Sequence, residues 1–148
     1  AWLRGVLRSG LDQLDRGEGV PFTPALVAAM RQEADERFAR GERPSPDVVP
    51  RRTVILSPDA RADFTDILLY TLQQWGVDQR DRYESAMTEA IAALSDFPEV
   101  GAVADRAFPG CRFRRVRRHI IFYRIGREAI EVVRILHDRA DPTRHVRS

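Results

Sequence analysis

The spacing of apolar residues changes near residue 110, and this change restricts the fold more than any other feature of the chain. Between positions 57 and 97 the apolar side chains recur at helical intervals. Ala60, Phe64, Ile67, Leu68, Thr71 and Trp75 form one stripe; Tyr83, Met87, Ala90, Ile91 and Leu94 form a second. Ser57-Pro58-Asp59 is a strong helix start: the hydroxyl caps, proline fits the first position, and the acid suits the positive end of the helix dipole. Gly76 ends that helix, and Asp78 can cap the next. A link of two or three residues makes the pair an antiparallel hairpin. Beyond residue 110 the pattern is that of strands. Residues 111–116 alternate in part, 119–125 are mostly apolar, 126–129 turn the chain, and 130–136 return. With a short β-rich run at 52–56, the order is strand, helix, helix, strand, strand, strand. The expected fold of residues 51–148 is therefore α+β, a helical hairpin packed on a small antiparallel sheet.

Residues 1–50 read as something other than a domain. Trp2, Leu3, Val6, Leu7, Leu11 and Leu14 lie on one helical stripe, ended by Gly17 and Gly19. Thr23-Pro24 starts a second helix, expected to run to about residue 40 with Leu26, Val27, Met30, Ala34 and Phe38 inward. Gly41 stops it, and residues 42–50, with three prolines, read as an extended tail. Two isolated helices cannot fully bury both apolar stripes against each other. The segment needs a surface to wrap, so it reads as a two-helix partner-binding arm.

Composition narrows the function classes. With 43% hydrophobic residues the chain cannot be wholly disordered, and no apolar run reaches the roughly 18 residues of a transmembrane helix. The start, Ala1-Trp2-Leu3-Arg4, lacks the pattern of a signal peptide, and the lone Cys111 excludes an internal disulfide. The expectation is a soluble cytoplasmic protein without membrane association. All 24 basic residues are arginine, as a GC-rich gene would produce. Residues 1–50 hold 7 arginines against 8 acids, residues 51–100 hold 5 against 9, and residues 101–148 hold 12 against 5. A net +7 third beside acidic segments suits an acidic partner, and arginine suits interfaces through its paired hydrogen bonds.

Chemical motifs are few. His119, His137 and His145 lack metal-ligand spacing, there is no phosphate-cradling glycine loop, and no cofactor is implied. Cys111 lies beside Arg112, which can lower a thiol pKa, but a lone cysteine at a strand start reads better as a small buried residue. Arg114, Arg115, Arg117, Arg118, His119, Tyr123, Arg134, His137 and Arg139 fall on strands or their ends. Together they could hold an RNA phosphate and move protons, although an arginine-rich binding face is the simpler reading.

Residues 51–145 resemble the ParE toxins of the RelE/ParE superfamily. The matching features are Leu56-Ser57-Pro58-Asp59-Ala60-Arg61-Ala62-Asp63, Tyr70 with Gln74-Trp75-Gly76, Phe97-Pro98-Glu99-Val100-Gly101, Arg118-His119-Ile120-Ile121-Phe122-Tyr123-Arg124, and the run from Ile135 through His137-Asp138-Arg139 to Pro142. Residues 1–50 resemble the C-terminal part of a ParD antitoxin through Gly10-Leu11, Leu14-Asp15-Arg16-Gly17-Glu18-Gly19, Pro21-Phe22-Thr23-Pro24 and Arg43-Pro44-Ser45-Pro46-Asp47-Val48-Val49-Pro50. The direct Pro50–Arg51 junction reads as a truncated antitoxin joined to its toxin. A ParD antitoxin normally begins with a ribbon-helix-helix domain; that domain is absent, so direct DNA binding is not expected.

The resemblance implies a type II toxin–antitoxin module whose toxin inhibits DNA gyrase by binding, without catalysis, and is neutralised by the arm. The alternatives are a RelE-type ribosome-dependent mRNA endonuclease and a nucleic-acid-binding module. The expected toxin–antitoxin interface comprises Trp2, Leu3, Val6, Leu7, Leu11, Leu14, Phe22, Leu26, Val27, Met30 and Phe38. The first stripe is expected to seat on the hairpin 58–95. Helix 24–40 is expected on the basic sheet, where Glu33, Asp35, Glu36, Glu42 and Asp47 can meet arginines. Candidate target-binding residues are Arg118, Arg134, His137, Arg139 and Arg144. The arm can serve its own toxin domain or that of a second copy in a homo-oligomer.

Overall fold

A computed structural model describes residues 2–38 and 53–141. The expected tail with Glu42 and Asp47, the junction at Pro50, and Arg144 lie outside the described residues. In chain order the elements are α1 (Trp2–Asp15), β1 (Val20–Pro21), α2 (Pro24–Arg37), β2 (Val54–Leu56), α3 (Pro58–Trp75), α4 (Val77–Asp96), β3 (Ala102–Val103), β4 (Arg112–Val116), β5 (His119–Ile125) and β6 (Ile130–His137), followed by a 3₁₀ turn at Asp138–Ala140.

Both serine/threonine-proline starts work as the residues dictate. Thr23 Oγ1 accepts the Leu26 N–H at 3.1 Å, and Ser57 Oγ accepts the Ala60 N–H at 2.9 Å. The hairpin link is tighter than expected. Gly76 alone joins α3 to α4, at φ 90°, a conformation open to glycine and strained for other residues. No side chain caps α4, and Asp78 lies in its first turn, where its charge suits the dipole.

The sheet has six strands in the order β1-β2-β6-β5-β4-β3. The meander β4-β5-β6 is antiparallel, as its short links require, and Arg117-Arg118 turn β4 into β5 with Arg117 at φ 54°. The sheet is mixed rather than antiparallel, because β2 lies parallel to β6. A parallel pair needs a long crossover, and the hairpin plus meander between them supplies it. The two-residue strands β1 and β3 were not expected; β1 lies between α1 and α2 and pairs antiparallel with β2.

Alternation along β5 divides the core in two. Ile121 and Tyr123 face α3 and α4, meeting Phe64, Leu68, Met87, Ile91 and Leu94. Ile120 and Phe122 face the other way, beside Phe108, Cys111 and Val133. A register shift sets Phe122 opposite Arg134 but Tyr123 opposite Val132, which leaves Val133 as the additional residue of a bulge. The Ser57 hydroxyl donates to the Val133 carbonyl at 2.6 Å.

The same carbonyl limits how α1 can approach. A Cβ placed on Gly10 would stand 2.3 Å from the Val133 oxygen, whereas one on Gly5 would meet nothing within 4 Å. Glycine to alanine inside a helix gains about 0.5–1 kcal/mol from propensity. At Gly10 that gain is set against lifting the helix off backbone, of the order of 1–3 kcal/mol. We expect Gly5→Ala to stabilise and Gly10→Ala to destabilise, read from the denaturation midpoint. A stabilised Gly10→Ala would contradict this seating of α1.

Candidate functional site

The surfaces that matter are those between residues 2–38 and residues 53–141. Leu3, Leu7 and Leu14 of α1 are buried in the second core with Ala107, Phe108, Ile120, Phe122 and Val133, and Leu11 packs at its edge. Val6 is half-buried. This seat corrects the expectation of α1 on the hairpin. The hairpin has spent its apolar stripes on the first sheet face, so the second face is the apolar surface left to cover. Trp2 is also corrected: one residue before Leu3 it lies about 100° round the helix, and it remains 55% exposed.

Polar contacts hold α1 at both ends and in the middle. The Arg4 side chain donates to the Arg106 carbonyl at 2.9 Å, and Arg124 pairs with Asp15 at 2.8 Å. The Gln13 amide donates to the Asp59 carboxylate and accepts the Asp59 N–H, joining α1 to the first turn of α3. Arg134 binds Asp63 through two hydrogen bonds, 2.7 and 2.9 Å, and donates its remaining nitrogen to the Val6 carbonyl at 3.0 Å. The hydrogen bond to Asp63 holds its guanidinium above the usual range against the effect of burial. Arg134 is thus an internal clamp in this structure, not a surface residue facing a target.

The second helix also sits elsewhere than expected. Phe22, Val27, Met30 and Ala34 are buried in the core shared with the hairpin and the first sheet face. Leu26 is partly buried and Phe38 is 45% exposed, as it follows the last turn of α2. The acids of α2 do meet arginines, but those of the hairpin: Glu33 pairs with Arg61 at 3.2 Å, and Asp35 pairs with Arg80. Arg31 pairs with Glu84 and Arg37 with Asp66 in the reverse sense. The hairpin segment is acidic in sum, yet two of its three arginines, Arg61 and Arg80, pair with α2.

A third surface is a groove of about 840 Å³ between α3, the start of α4 and the ends of β5 and β6. Tyr70 and Trp75, both exposed, line one side; Tyr83, Arg117, Arg118, His119 and His137 line the other. Two of the five candidate target-binding residues, Arg118 and His137, meet here. Arg139 is exposed in the adjacent 3₁₀ turn, and His137 Nδ1 accepts its backbone N–H at 3.2 Å. The Tyr83 hydroxyl accepts the Arg118 N–H at 3.3 Å and hydrogen-bonds to His119 Nδ1, while the Arg117 guanidinium lies 5.6 Å from the Tyr83 ring centre. The remaining strand arginines point to separate partners: Arg114 donates to the Ala90 carbonyl, and Arg115 binds Asp141 at 2.6 Å. Tyr123 donates to the Pro98 carbonyl and accepts the Gly101 N–H, which fixes the 97–101 loop. The constellation read from sequence is therefore spread over several sites.

Burial pushes the Cys111 thiol up to about 12, with Asp105 adding to the effect, so it remains protonated and inert. Burial lowers His119 to about 4, aided by the neighbouring His137 and opposed by Asp138. A folded His119 then stays neutral while an unfolded one protonates near 6.5. Its contribution to stability is complete above about pH 6.5 and declines as pH falls towards 4. His119→Phe should flatten the stability profile across that window, measured by denaturant midpoints; parallel profiles would contradict the assignment. Among the described residues no group of His, Cys, Asp or Glu could hold a metal ion, and no helix is long and apolar enough to cross a membrane.

Residues 54–142 match the family model described as ParE toxin of type II toxin-antitoxin system, parDE. Toxin ParE1 of Mycobacterium tuberculosis is 38% identical over 93 residues, which cover 62% of this chain and 95% of that toxin. Toxin ParE1 of Caulobacter vibrioides is 32% identical over 91 residues, covering 62% of this chain and 94% of its own length. Toxin ParE of Escherichia coli is 36% identical over 89 residues, covering 59% and 85%. A solved structure described as the chromosomal ParDE TA system from P. aeruginosa superposes with a TM-score of 0.50 at 19% identity, over 55% of this chain and 90% of the other, and supports the fold. The matched span runs from β2 to the end of the 3₁₀ turn, the hairpin-on-sheet unit described above, and the chain belongs to the ParE toxin family of type II toxin–antitoxin systems.

Proposed function

We propose that residues 51–148 are a toxin that inhibits DNA gyrase by binding, and that residues 1–50 are a ParD-like antitoxin arm that neutralises it by covering the second sheet face. One observation carries the reading. Leu3, Leu7 and Leu14 of α1 pack into the apolar cluster of Phe108, Ile120, Phe122 and Val133, so a chain without α1 would expose much of that face. A contiguous exposed apolar face of this kind marks an interaction surface. The resemblance to ParE toxins supports gyrase as the target, and an action on gyrase would be cytoplasmic. Binding rather than catalysis is supported by the strand arginines, which are engaged with separate structural partners. The groove residues Arg118 and His137, with Arg139 and Arg144, remain candidates for the rim of the target contact.

The test is growth. Cells expressing residues 51–148 alone should stop dividing, and residues 1–50 supplied as a separate chain should restore division. Equal growth with and without the arm would reject neutralisation.

A further inference from the structure

Two ion pairs cross from α2 to α4, one helical turn apart and opposite in polarity. Arg31 pairs with Glu84, and four residues on Asp35 pairs with Arg80. The side chains of Arg31, Asp35 and Arg80 are at most 4% exposed, and that of Glu84 is 13% exposed. The apolar contacts of α2 around them come from Val27, Met30 and Ala34. A valine, a flexible methionine and an alanine specify position weakly, since similar groups recur along many helices. The charges specify it strongly. Sliding α2 by one turn would set Arg31 against Arg80 in one direction, or Asp35 against Glu84 in the other. Either slip buries like charges together. A matched buried ion pair adds little over an apolar pair of the same shape, whereas a mismatched or half-empty one is strongly unfavourable. Such an arrangement contributes selection more than strength.

We propose that Arg31 and Asp35 against Glu84 and Arg80 form a polarity key that decides which antitoxin helix this toxin accepts: one with a cation and, four residues later, an acid. The proposal rests on reading residues 1–50 as an antitoxin arm. An antitoxin helix with the reverse order, or with two like charges at these positions, is refused even where its apolar stripe fits.

The test uses the full chain in four forms: unaltered, Arg31→Glu with Asp35→Arg, Glu84→Arg with Arg80→Glu, and all four substitutions together. Amide hydrogen exchange of residues 24–37 reports docking of α2. Each half-reversed chain should exchange there at least about a hundredfold faster than the unaltered chain, and the fourfold chain should recover to within roughly tenfold of it. The α2 reversal leaves the toxin fold untouched, and protection of β5 amides reports that the rest stays folded. Half-reversed chains as protected as the original, or a fourfold chain as open as either half, would overturn the key. Growth is scored in parallel. Because α1 keeps its seat when α2 alone is released, the antitoxin reading is tested on a fifth chain, Leu7→Asp, which strips α1 from the second sheet face. Exchange that follows the key without growth inhibition by Leu7→Asp supports the key as a pairing rule and overturns the antitoxin reading; such exchange with inhibition by Leu7→Asp supports both.

Discussion

Replacing Leu7 with aspartate should detach α1 and turn the full chain into a growth inhibitor. Leu7 is 1% exposed among Phe108, Ile120, Phe122 and Val133. Losing its apolar burial costs about 2–5 kcal/mol, and a carboxylate in that cluster adds the cost of desolvating a charge. Against this stand polar anchors of modest strength. The Arg124–Asp15 pair has a carboxylate whose side chain is 58% exposed, and exposed pairs are worth about 0–1 kcal/mol. The balance favours release. Faster hydrogen exchange of residues 2–15, with β5 still protected, would report it. An α1 that stays protected in Leu7→Asp would show that the polar anchors, not the leucines, hold the helix.

The second large effect separates two aromatic residues of the arm. Phe22 is 4% exposed, lies in the core with Phe64 and Leu68, and donates its backbone N–H to the Val54 carbonyl beside the β1–β2 pair. Phe22→Ala should cost about 3–5 kcal/mol. Trp2, more than half exposed, should cost less than about 1 kcal/mol when cut to alanine. Denaturant midpoints of the two variants test this directly. Equal losses would contradict this ranking of the two residues by their exposure.

The hairpin and the meander were legible in the sequence because local rules govern them. Ser57-Pro58-Asp59 caps α3, the stripes from Phe64 to Leu94 face the sheet, and the mostly apolar run 119–125 forms the strand whose two faces serve the two cores. The parallel pairing of β2 with β6 was not legible. It joins residues about 76 positions apart, such as Val54 and Ile130, and no local pattern records such a contact. The exchange of the two arm helices between their expected surfaces has a similar cause. A stripe such as Leu3, Leu7 and Leu14 states that it needs an apolar surface, not which one, and net charge by segment misplaced α2. What mattered was where single charges fall. Arg31 and Asp35 adjoin the inward positions Met30 and Ala34, and that adjacency was the signal available for the buried pairs with Glu84 and Arg80.

Of the candidate target residues, Arg134 is engaged by Asp63, a contact that its position on a strand does not announce. Arg118 and His137 do share a groove, since the β4–β5 turn and the end of β6 lie side by side in the register His119 opposite His137. Tyr83 was read as part of the α4 stripe and Arg117 as part of the arginine-rich constellation, but neither pattern brings the two together in this groove. The ring contact of Arg117 depends on the left-handed turn at its own position.

The most direct measurement is gyrase-catalysed supercoiling, titrated with residues 51–148 alone and with the full chain, while ribosome-dependent mRNA cleavage is followed on the same samples. Residues 51–148 should abolish supercoiling and leave mRNA intact, and the full chain should leave both supercoiling and mRNA intact until Leu7→Asp releases α1. Undiminished supercoiling together with cleaved mRNA would contradict inhibition by binding and identify a ribosome-dependent endonuclease instead.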